Sequence, residues 1–391
     1  MTVDLRRRPL PPAALAACAL GLALPLAPGC RAPDAAAPPL SLAETLGGAD
    51  TAGYARALEP RPFDFPADHG PHPDFRSEWW YVTGNLDAES GRRFGFQLTL
   101  FRSALSPAPR GGSSAWGTRQ AYMAHFALAD VEGGTFHAFE RFARDALGLA
   151  GASADPFRVW LEDWSLSGPA EGGGPFPMTL RAAEGDVAVE LVLERGKPPV
   201  LQGDRGLSRK GPEPGNASYY YSFTRMPASG RVVLGADTVR ASGAAWLDRE
   251  WSTSALSESQ VGWDWFALQL DGDRELMVYR LRRADGTAHP LSEGVLVDPS
   301  GGSRRLSWGS DVTVEETGRW TSPRTGARYP SGWRITVPSE GWRLDVEPVL
   351  AGQELDLAFR YWEGAVRVGG AGPQGRGFVE LTGYDGAPPG R

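Results

Sequence analysis

The segment WWYVTGNLDAESGRRFGFQLTLFR (residues 79–102) predicts a β-hairpin. An aromatic cluster opens its first strand, Leu-Asp enters a turn that contains Gly, and an alternating apolar strand that ends in Arg returns. The segment WDWFALQLDGDRELMVYRLR (residues 263–282) has the same order of features. A supersecondary unit that occurs twice in one chain predicts two related halves.

The rest of the chain continues this strand pattern around both hairpins. From Phe63 onward, short alternating segments are separated by turns, and the chain contains 50 Gly and 33 Pro. Because 391 residues exceed what one core normally supports, we expect two domains. The sequence predicts an all-β fold of two antiparallel barrels packed together, since closure removes exposed strand edges. We place the N-terminal barrel at residues 61–215 and the C-terminal barrel at residues 216–386, with a looser stretch at 197–218.

The N-terminus has the features of an export signal. Three arginines (residues 6–8) precede an apolar run over residues 13–27, and small residues lead to Cys30. This order resembles a bacterial lipoprotein signal, with residues 1–29 removed, Cys30 lipidated and residues 30–60 as a tether. We prefer Cys30 to Cys18, because cleavage at Cys18 would leave half of the apolar run on the mature protein. We expect a cell-envelope lipoprotein or a secreted protein, which contacts the membrane through its lipid anchor only.

Charge and cysteine content exclude several classes of function. The net charge of −7 disfavours contact with phosphate backbones, so we expect no nucleic-acid partner. Cys18 lies in the leader and Cys30 is the expected lipidation site, which leaves no free Cys nucleophile and no Cys-based zinc site in the two predicted barrels. The sequence also lacks G-x-S-x-G, H-E-x-x-H and P-loop motifs.

Three clusters combine aromatic side chains with carboxylates, at residues 74–81 (DFRSEWWY), 245–251 (AWLDREW) and 262–266 (GWDWF). On a strand, Trp246, Asp248 and Glu250 share one face. A carboxyl group between indoles is poorly solvated, so its pKa rises and it can act as a general acid near neutral pH. The indole faces can stabilise a developing cation. The alternative is that these acids pair with nearby arginines and only close the barrel.

The candidate catalytic residues are Asp248 as proton donor, with Glu78 and Asp264 as second candidates that orient water. The candidate ligand-binding residues are five Trp side chains of these clusters, since Trp suits apolar ligands: Trp246, Trp251, Trp263, Trp265 and Trp80. His69 and His72 lie in DHGPHPD (residues 68–74). They fit either reactive or metal-binding imidazoles or a rigid, Pro-rich entry segment.

These clusters, together with VELTGY (residues 379–384), resemble the AttH-like family of predicted secreted hydrolases. The chain is also similar to carotenoid 1,2-hydratases and lipocalin-like pericyclases over roughly residues 60–385. The resemblance implies two lipocalin-like barrels and no metal or organic cofactor. It also implies an acid mechanism, because the hydratases protonate an alkene with an Asp in an aromatic-x-Asp-x-x-Trp setting. Asp248 and Trp251 match that setting, and Trp246 stands where the hydratases tend to carry Tyr.

The sequence therefore predicts an exported lipocalin-like protein that binds an apolar lipid or isoprenoid ligand and hydrates or isomerises it by acid catalysis. Two alternatives stay open, a non-catalytic lipid carrier or scaffold and a secreted hydrolase. The surroundings of Asp248 discriminate between enzyme and carrier. An acid that lines a cavity without an Arg partner favours the enzyme, and an acid bridged to Arg in a packed core favours the carrier.

Overall fold

The structure is a computed structural model that describes residues 51–107, 117–171, 173–253, 256–257 and 259–384. The predicted signal peptide, Cys18, Cys30 and residues 30–50 of the predicted tether lie outside the described residues. All described residues belong to one compact unit. Among them, no helix has the length and apolar character needed to cross a membrane.

The predicted all-β fold is confirmed. In the described residues, helical structure is limited to two short 3-10 segments, Ala67–His69 and Pro338–Glu340. The strands of the first sheet are β1 (Ser77–Ala88), β2 (Arg93–Ala104), β3 (Gln120–Asp130), β4 (Thr135–Arg144), β5 (Ala150–Ala154), β6 (Phe157–Leu161), β7 (Trp164–Ser167), β8 (Met178–Glu184), β9 (Val187–Leu193), β10 (Val200–Leu201), β11 (Leu207–Arg209), β12 (Ala217–Leu234) and β13 (Asp237–Ser252).

A second sheet and a separate two-stranded ribbon follow. The strands of the second sheet are β14 (Gln260–Leu270), β15 (Arg274–Arg283), β16 (Glu293–Val297), β17 (Ser303–Ser307), β18 (Thr313–Glu316), β21 (Trp333–Val337), β22 (Trp342–Pro348), β23 (Glu354–Asp356), β24 (Arg360–Ala371) and β25 (Gly375–Leu381), and the ribbon is β19 (Arg319–Thr321) with β20 (Arg328–Pro330). The first sheet curls until β6 packs against β2, β3 and β4, which gives a nearly closed barrel. The second sheet forms a half-barrel, so the fold is the predicted lipocalin-like pair.

Both predicted hairpins are present. β1 pairs with β2 so that Trp79 lies opposite Phe101, and β14 pairs with β15 so that Trp265 lies opposite Tyr279. In the first turn, Gly91 has a φ of +84°, a left-handed conformation that glycine adopts without steric cost.

The two sheets divide between Ser252 and Gln260, later in the chain than the predicted boundary at residues 215/216. The reason is that β12 and β13 form a long hairpin that belongs to the first sheet, since β12 pairs with β9 and β13 pairs with β1. Strand periodicity is a local signal and does not specify a distant pairing partner. The looser stretch at residues 197–218 contributes β10 and β11, two short strands that pair with β12.

Each sheet encloses its own core, and a third apolar cluster lies between the sheets. The first core contains Trp80 and Trp251, and the second contains Phe266 and Trp333. The third cluster takes side chains from strands of both sheets, including Tyr81, Tyr220, Trp246, Trp265, Tyr279, Ala365 and Phe378. Successive strand residues point to opposite faces. β1 and β13 therefore fill the first barrel with one face and meet the second sheet with the other.

Candidate functional site

A cavity of about 80 Å³ lies within this third cluster, between the two sheets. Its volume is several times what one water molecule needs. The cavity is lined by Trp79, Tyr81, Phe101, Lys210, Ser218, Tyr220, Asp248, Glu250, Ser252, Leu256, Trp263, Trp265, Tyr279, Leu281 and Glu380. Its walls are aromatic with a few converging polar groups, which is the usual composition of a small-molecule site.

The alternation of β13 brings the predicted acid to this cavity. Trp246, Asp248 and Glu250 share the face toward the second sheet, as the sequence predicts, whereas Arg249 and Trp251 point into the first barrel. Asp248 lines the cavity and is 4% exposed.

Neutral donors surround the carboxyl group of Asp248. Ser222 Oγ and Trp246 Nε1 donate to Oδ1 at 2.5 and 2.7 Å, and Tyr220 Oη donates to Oδ2 at 2.5 Å. Among the residues that the structure describes, Asp248 forms no ion pair with Arg or Lys. Burial raises its pKa to about 7, against the opposing effect of the three donors. Asp248 therefore holds a proton at near-neutral pH and can also release it.

Glu380 is a second carboxyl group in the same cavity, on the wall formed by the second sheet. Trp263 Nε1 donates to its Oε2 at 3.2 Å. Burial raises the pKa of Glu380 to about 7, with further increases from Asp248 and Glu250. On the neighbouring strand, Glu363 lies directly opposite Glu380 and accepts a hydrogen bond of 2.5 Å from Tyr81 Oη.

The third cavity carboxylate, Glu250, is paired with a cation. Lys210 Nζ lies 3.2 Å from Glu250 Oε1, and Ser218 Oγ donates to the same oxygen. The ammonium of Lys210 also lies 4.8 Å from the ring centre of Tyr279. A cation held by a carboxylate and an aromatic face neutralises this end of the cavity.

Glu78, a second candidate for orienting water, lies outside this cavity. Its carboxylate is fully buried in the first barrel, where it accepts from the guanidinium groups of Arg102 and Arg249. Burial alone would raise the pKa of Glu78, but Arg249 and Arg102 hold it well below its usual range. A carboxylate that stays ionised between two arginines fits the alternative role, in which the acid and its arginines only stabilise the barrel.

Asp264 is also placed outside the cavity. Its carboxylate contacts Arg280 at 2.6 Å and Arg282 at 3.0 Å, and Tyr384 Oη donates to it at 2.9 Å. The alternation of β14 points Trp263 and Trp265 into the cavity and Asp264 to the opposite face.

The five predicted Trp side chains divide in the same way. Trp263 and Trp265 line the cavity, and Trp246 adjoins it through its hydrogen bond to Asp248. Trp80 and Trp251 lie instead in the first core, because they occupy the other face of β1 and β13. Arg249 lies 4.0 Å from the ring centre of Trp80, so this Trp supports the buried ion pair of Glu78.

The two histidines of the hydrolase alternative do not line the cavity. His69 Nδ1 lies 2.6 Å from Tyr221 Oη, and burial lowers its pKa to about 4. His72 stacks on Trp251 at 3.8 Å and contacts Asp68 at 3.0 Å. Within the described part of the chain, no group of three or more His, Cys, Asp or Glu residues could hold a metal ion.

Sequence reasoning missed Glu380, Tyr220 and Lys210. Glu380 lies in the segment VELTGY between Val379 and Leu381, which are buried in the second core. Strand alternation therefore points the Glu380 side chain to the opposite face of the sheet, away from that core. Tyr220 and Lys210 carry no comparable local signal, because their roles depend on the pairing of β12 with β13.

Comparison with known proteins gives relatives over most of the chain. A family model described as AttH-like matches residues 56–384. A solved AttH protein from Nitrosomonas europaea is 35% identical, with a TM-score of 0.73, over 84% of this chain and 99% of that protein. Kievitone hydratase from Nectria haematococca is 12% identical, with a TM-score of 0.63, over 84% of this chain and 96% of that protein. CghA is 15% identical, with a TM-score of 0.50, over 86% of this chain and 97% of that protein. These last two likenesses concern the fold alone. No curated protein sequence matches the chain.

Proposed function

The chain belongs to the AttH-like family, and on that premise we propose that it is an acid-catalysed hydratase of an apolar, unsaturated ligand. The observation that carries the proposal is the position of Asp248. Its carboxyl group lines an aromatic cavity, is held by three neutral donors, and has a pKa of about 7 because it is buried. A general acid works best when its pKa lies near the working pH.

The reaction follows from these groups. The Asp248 carboxyl transfers its proton to one carbon of an isolated C=C bond, and the π electrons form the new C–H bond. The other carbon becomes a cation, which water attacks through an oxygen lone pair. The added water then loses a proton, which leaves the alcohol and in the end restores the proton of Asp248, so the overall change is alkene plus water to alcohol.

The aromatic walls support the cationic step. Trp265 Nε1 donates to Tyr220 Oη at 3.2 Å, and the rings of Trp265 and Trp246 meet edge to face at 6.2 Å. These contacts fix the ring faces that border the cavity. A ring face attracts a cation by about 0.5–2 kcal/mol, more where water is excluded. A ligand carbon that becomes positive is stabilised here by these ring faces, together with the carboxylate that Asp248 becomes when it gives up its proton.

Two further observations are consistent with hydration. Kievitone hydratase, which shares the fold at 12% identity, is named for a hydration. The surroundings of Asp248 also favour an enzyme over a carrier, since its partners in the described residues are Tyr220, Ser222 and Trp246 rather than Arg.

Export completes the proposal. The leader and Cys30, which lie outside the described residues, would hold the protein at the cell envelope by a lipid anchor or release it after processing. An apolar ligand that partitions into a membrane would then be close to the cavity. Radiolabelled palmitate that labels the wild type and not Cys30→Ser in bacterial cells would support the anchor, and equal labelling would contradict it.

The test of the activity uses water labelled with ¹⁸O. The full chain, purified in detergent, is incubated with squalene and with geranylgeraniol, which carry isopropylidene ends, and the products are analysed by mass spectrometry. We expect an alcohol that contains ¹⁸O from the wild type and none from Asp248→Asn, with the same melting temperature within a few degrees. Asp271→Asn, at an exposed turn, is the matched control and should stay active. Equal alcohol formation by Asp248→Asn would contradict the mechanism, and ligand retention without alcohol would favour a carrier.

A further inference from the structure

The cavity holds one carboxyl group on each wall that is free of any cation among the described residues. Asp248 lies on β13 of the first sheet, and Glu380 lies on β25 of the second. Trp265 is the cross-strand neighbour of Glu380 and donates to Tyr220, which in turn donates to Asp248. Trp265 is therefore next to Glu380 across the strand pair and is hydrogen-bonded to Tyr220, the residue that holds Asp248.

The other acids near the cavity are unsuitable as a partner for Asp248. Glu250 is bound by Lys210 at 3.2 Å, so its charge is already matched. Glu363 is 1% exposed, does not line the cavity, and accepts from Tyr81. Glu380 alone among these acids combines access to the cavity with a single neutral donor, the indole of Trp263.

Two carboxyl groups in one poorly hydrated cavity do not ionise independently. Each negative charge disfavours the other, so the pair loses its protons in two separated steps. Burial raises the pKa of both groups to about 7. At neutral pH, the singly protonated pair thus contains one proton donor and one proton acceptor, which is what addition of water to an alkene requires.

We propose that Glu380 is the second catalytic residue of the site, the base that takes the proton of the attacking water from the wall opposite Asp248. This inference rests on the proposed hydration. The proton of Asp248 forms the C–H bond, the lone pair of water forms the C–O bond, and the bond from that oxygen to its extra proton breaks toward the Glu380 carboxylate. Return of this proton from Glu380 to Asp248 resets the site, and no oxidant or cofactor is consumed.

The opposed walls also determine the stereochemistry. A planar alkene between the two sheets receives hydrogen on the face toward Asp248 and oxygen on the face toward Glu380. The addition is therefore anti across the double bond.

A substrate-free experiment tests the pairing first. Infrared spectroscopy follows the C=O stretch of protonated carboxyl groups from pH 5 to pH 9 in the full chain and in three variants. In Glu380→Gln, where the amide oxygen can still accept from Trp263, we expect the titration of Asp248 to move about 1 pH unit lower, because a neighbouring negative charge is removed. Asp248→Asn assigns the Asp248 band. Glu347→Gln, at an exposed site paired with Arg367, should shift nothing. An unchanged Asp248 midpoint in Glu380→Gln would overturn the pairing.

The role as base is tested with the same ¹⁸O assay on squalene. Glu380→Gln should form at least tenfold less alcohol, while still isomerising the alkene, because protonation by Asp248 remains. Asp248→Asn should lose both products. Alcohol formation by Glu380→Gln at the wild-type rate would overturn the role of Glu380. No alcohol from the wild type with either probe would instead count against the proposed hydration, and the infrared result would still decide whether the two acids share a proton.

Discussion

Tyr220→Phe is the substitution that most clearly separates the effects on Asp248. The Tyr220 hydroxyl donates to Asp248 Oδ2 at 2.5 Å and accepts from Trp265 Nε1 at 3.2 Å. Tyr220 is 2% exposed, and phenylalanine keeps the same ring in the same place, so the substitution removes only the hydroxyl group. The substitution removes one donor to the carboxylate and leaves the burial of Asp248 nearly unchanged.

The magnitude follows from that single hydrogen bond. A hydrogen bond to a charged group contributes about 1.5 kcal/mol, and about 1.4 kcal/mol corresponds to one pH unit in a titration midpoint. Loss of a donor destabilises the ionised form of Asp248. Its pKa, which is about 7 in the wild type, should therefore rise by about 1 unit in Tyr220→Phe. The unpaired indole N–H of Trp265 should lower the free energy of unfolding by about 1 kcal/mol.

The assay is the infrared titration of protonated carboxyl groups, with urea unfolding as the stability measurement. Tyr279→Phe is the matched control, because Tyr279 lines the same cavity but donates to Glu293 at 2.9 Å. We expect the Asp248 midpoint to rise in Tyr220→Phe and to stay within a few tenths of a unit in Tyr279→Phe. A midpoint that stays fixed or falls in Tyr220→Phe would refute the view that burial, opposed by neutral donors, determines the protonation of Asp248.

Three further predictions follow from the structure. Glu78→Gln should lower the free energy of unfolding by about 3–5 kcal/mol in urea, because two buried guanidinium groups lose their shared carboxylate; a loss below about 1 kcal/mol would contradict this. In the wild type, the raised pKa of Glu380 means that the folded chain binds more protons than the unfolded one between pH 4.5 and about 7, so stability falls as pH rises through that window. Glu380→Gln should reduce this decrease in the free energy of unfolding. A decrease with pH identical to that of the wild type would contradict the raised pKa of Glu380. Trp265→Phe should weaken the retention of squalene roughly tenfold, because a smaller aromatic ring then lines the cavity. Trp80→Phe, in the first core, should leave squalene retention unchanged. An equal loss of retention in both variants would mean that squalene binds outside this cavity.

The hairpins were predictable because their information is local. Alternation, turn residues and the repeated aromatic opening all lie within about 24 consecutive residues, and the pairing of β1 with β2 and of β14 with β15 follows them directly. The division between the sheets was not predictable in this way. The assignment of β12 and β13 to the first sheet depends on contacts with β9 and β1, which are far away in sequence.

The candidate site shows the same contrast. Asp248 was found because the indoles beside it are neighbours in sequence, whereas Glu380 meets it only when the two sheets pack together. Glu78 and Asp264 differ from Asp248 in their cross-strand partners. In the hairpin registers, Glu78 lies directly opposite Arg102 and Asp264 lies directly opposite Arg280. The repeat therefore carries an equivalent buried ion pair in each half.

The central claim is that Asp248 delivers a proton to carbon, and deuterium transfer tests it most directly. Squalene is incubated with the full chain in D₂O, and the recovered alkene and alcohol are analysed for deuterium bound to carbon. We predict deuterium at the carbon next to the new C–O bond in the wild-type product and none above the buffer background with Asp248→Asn. Deuterium at that carbon in equal amount from both proteins would contradict the claim.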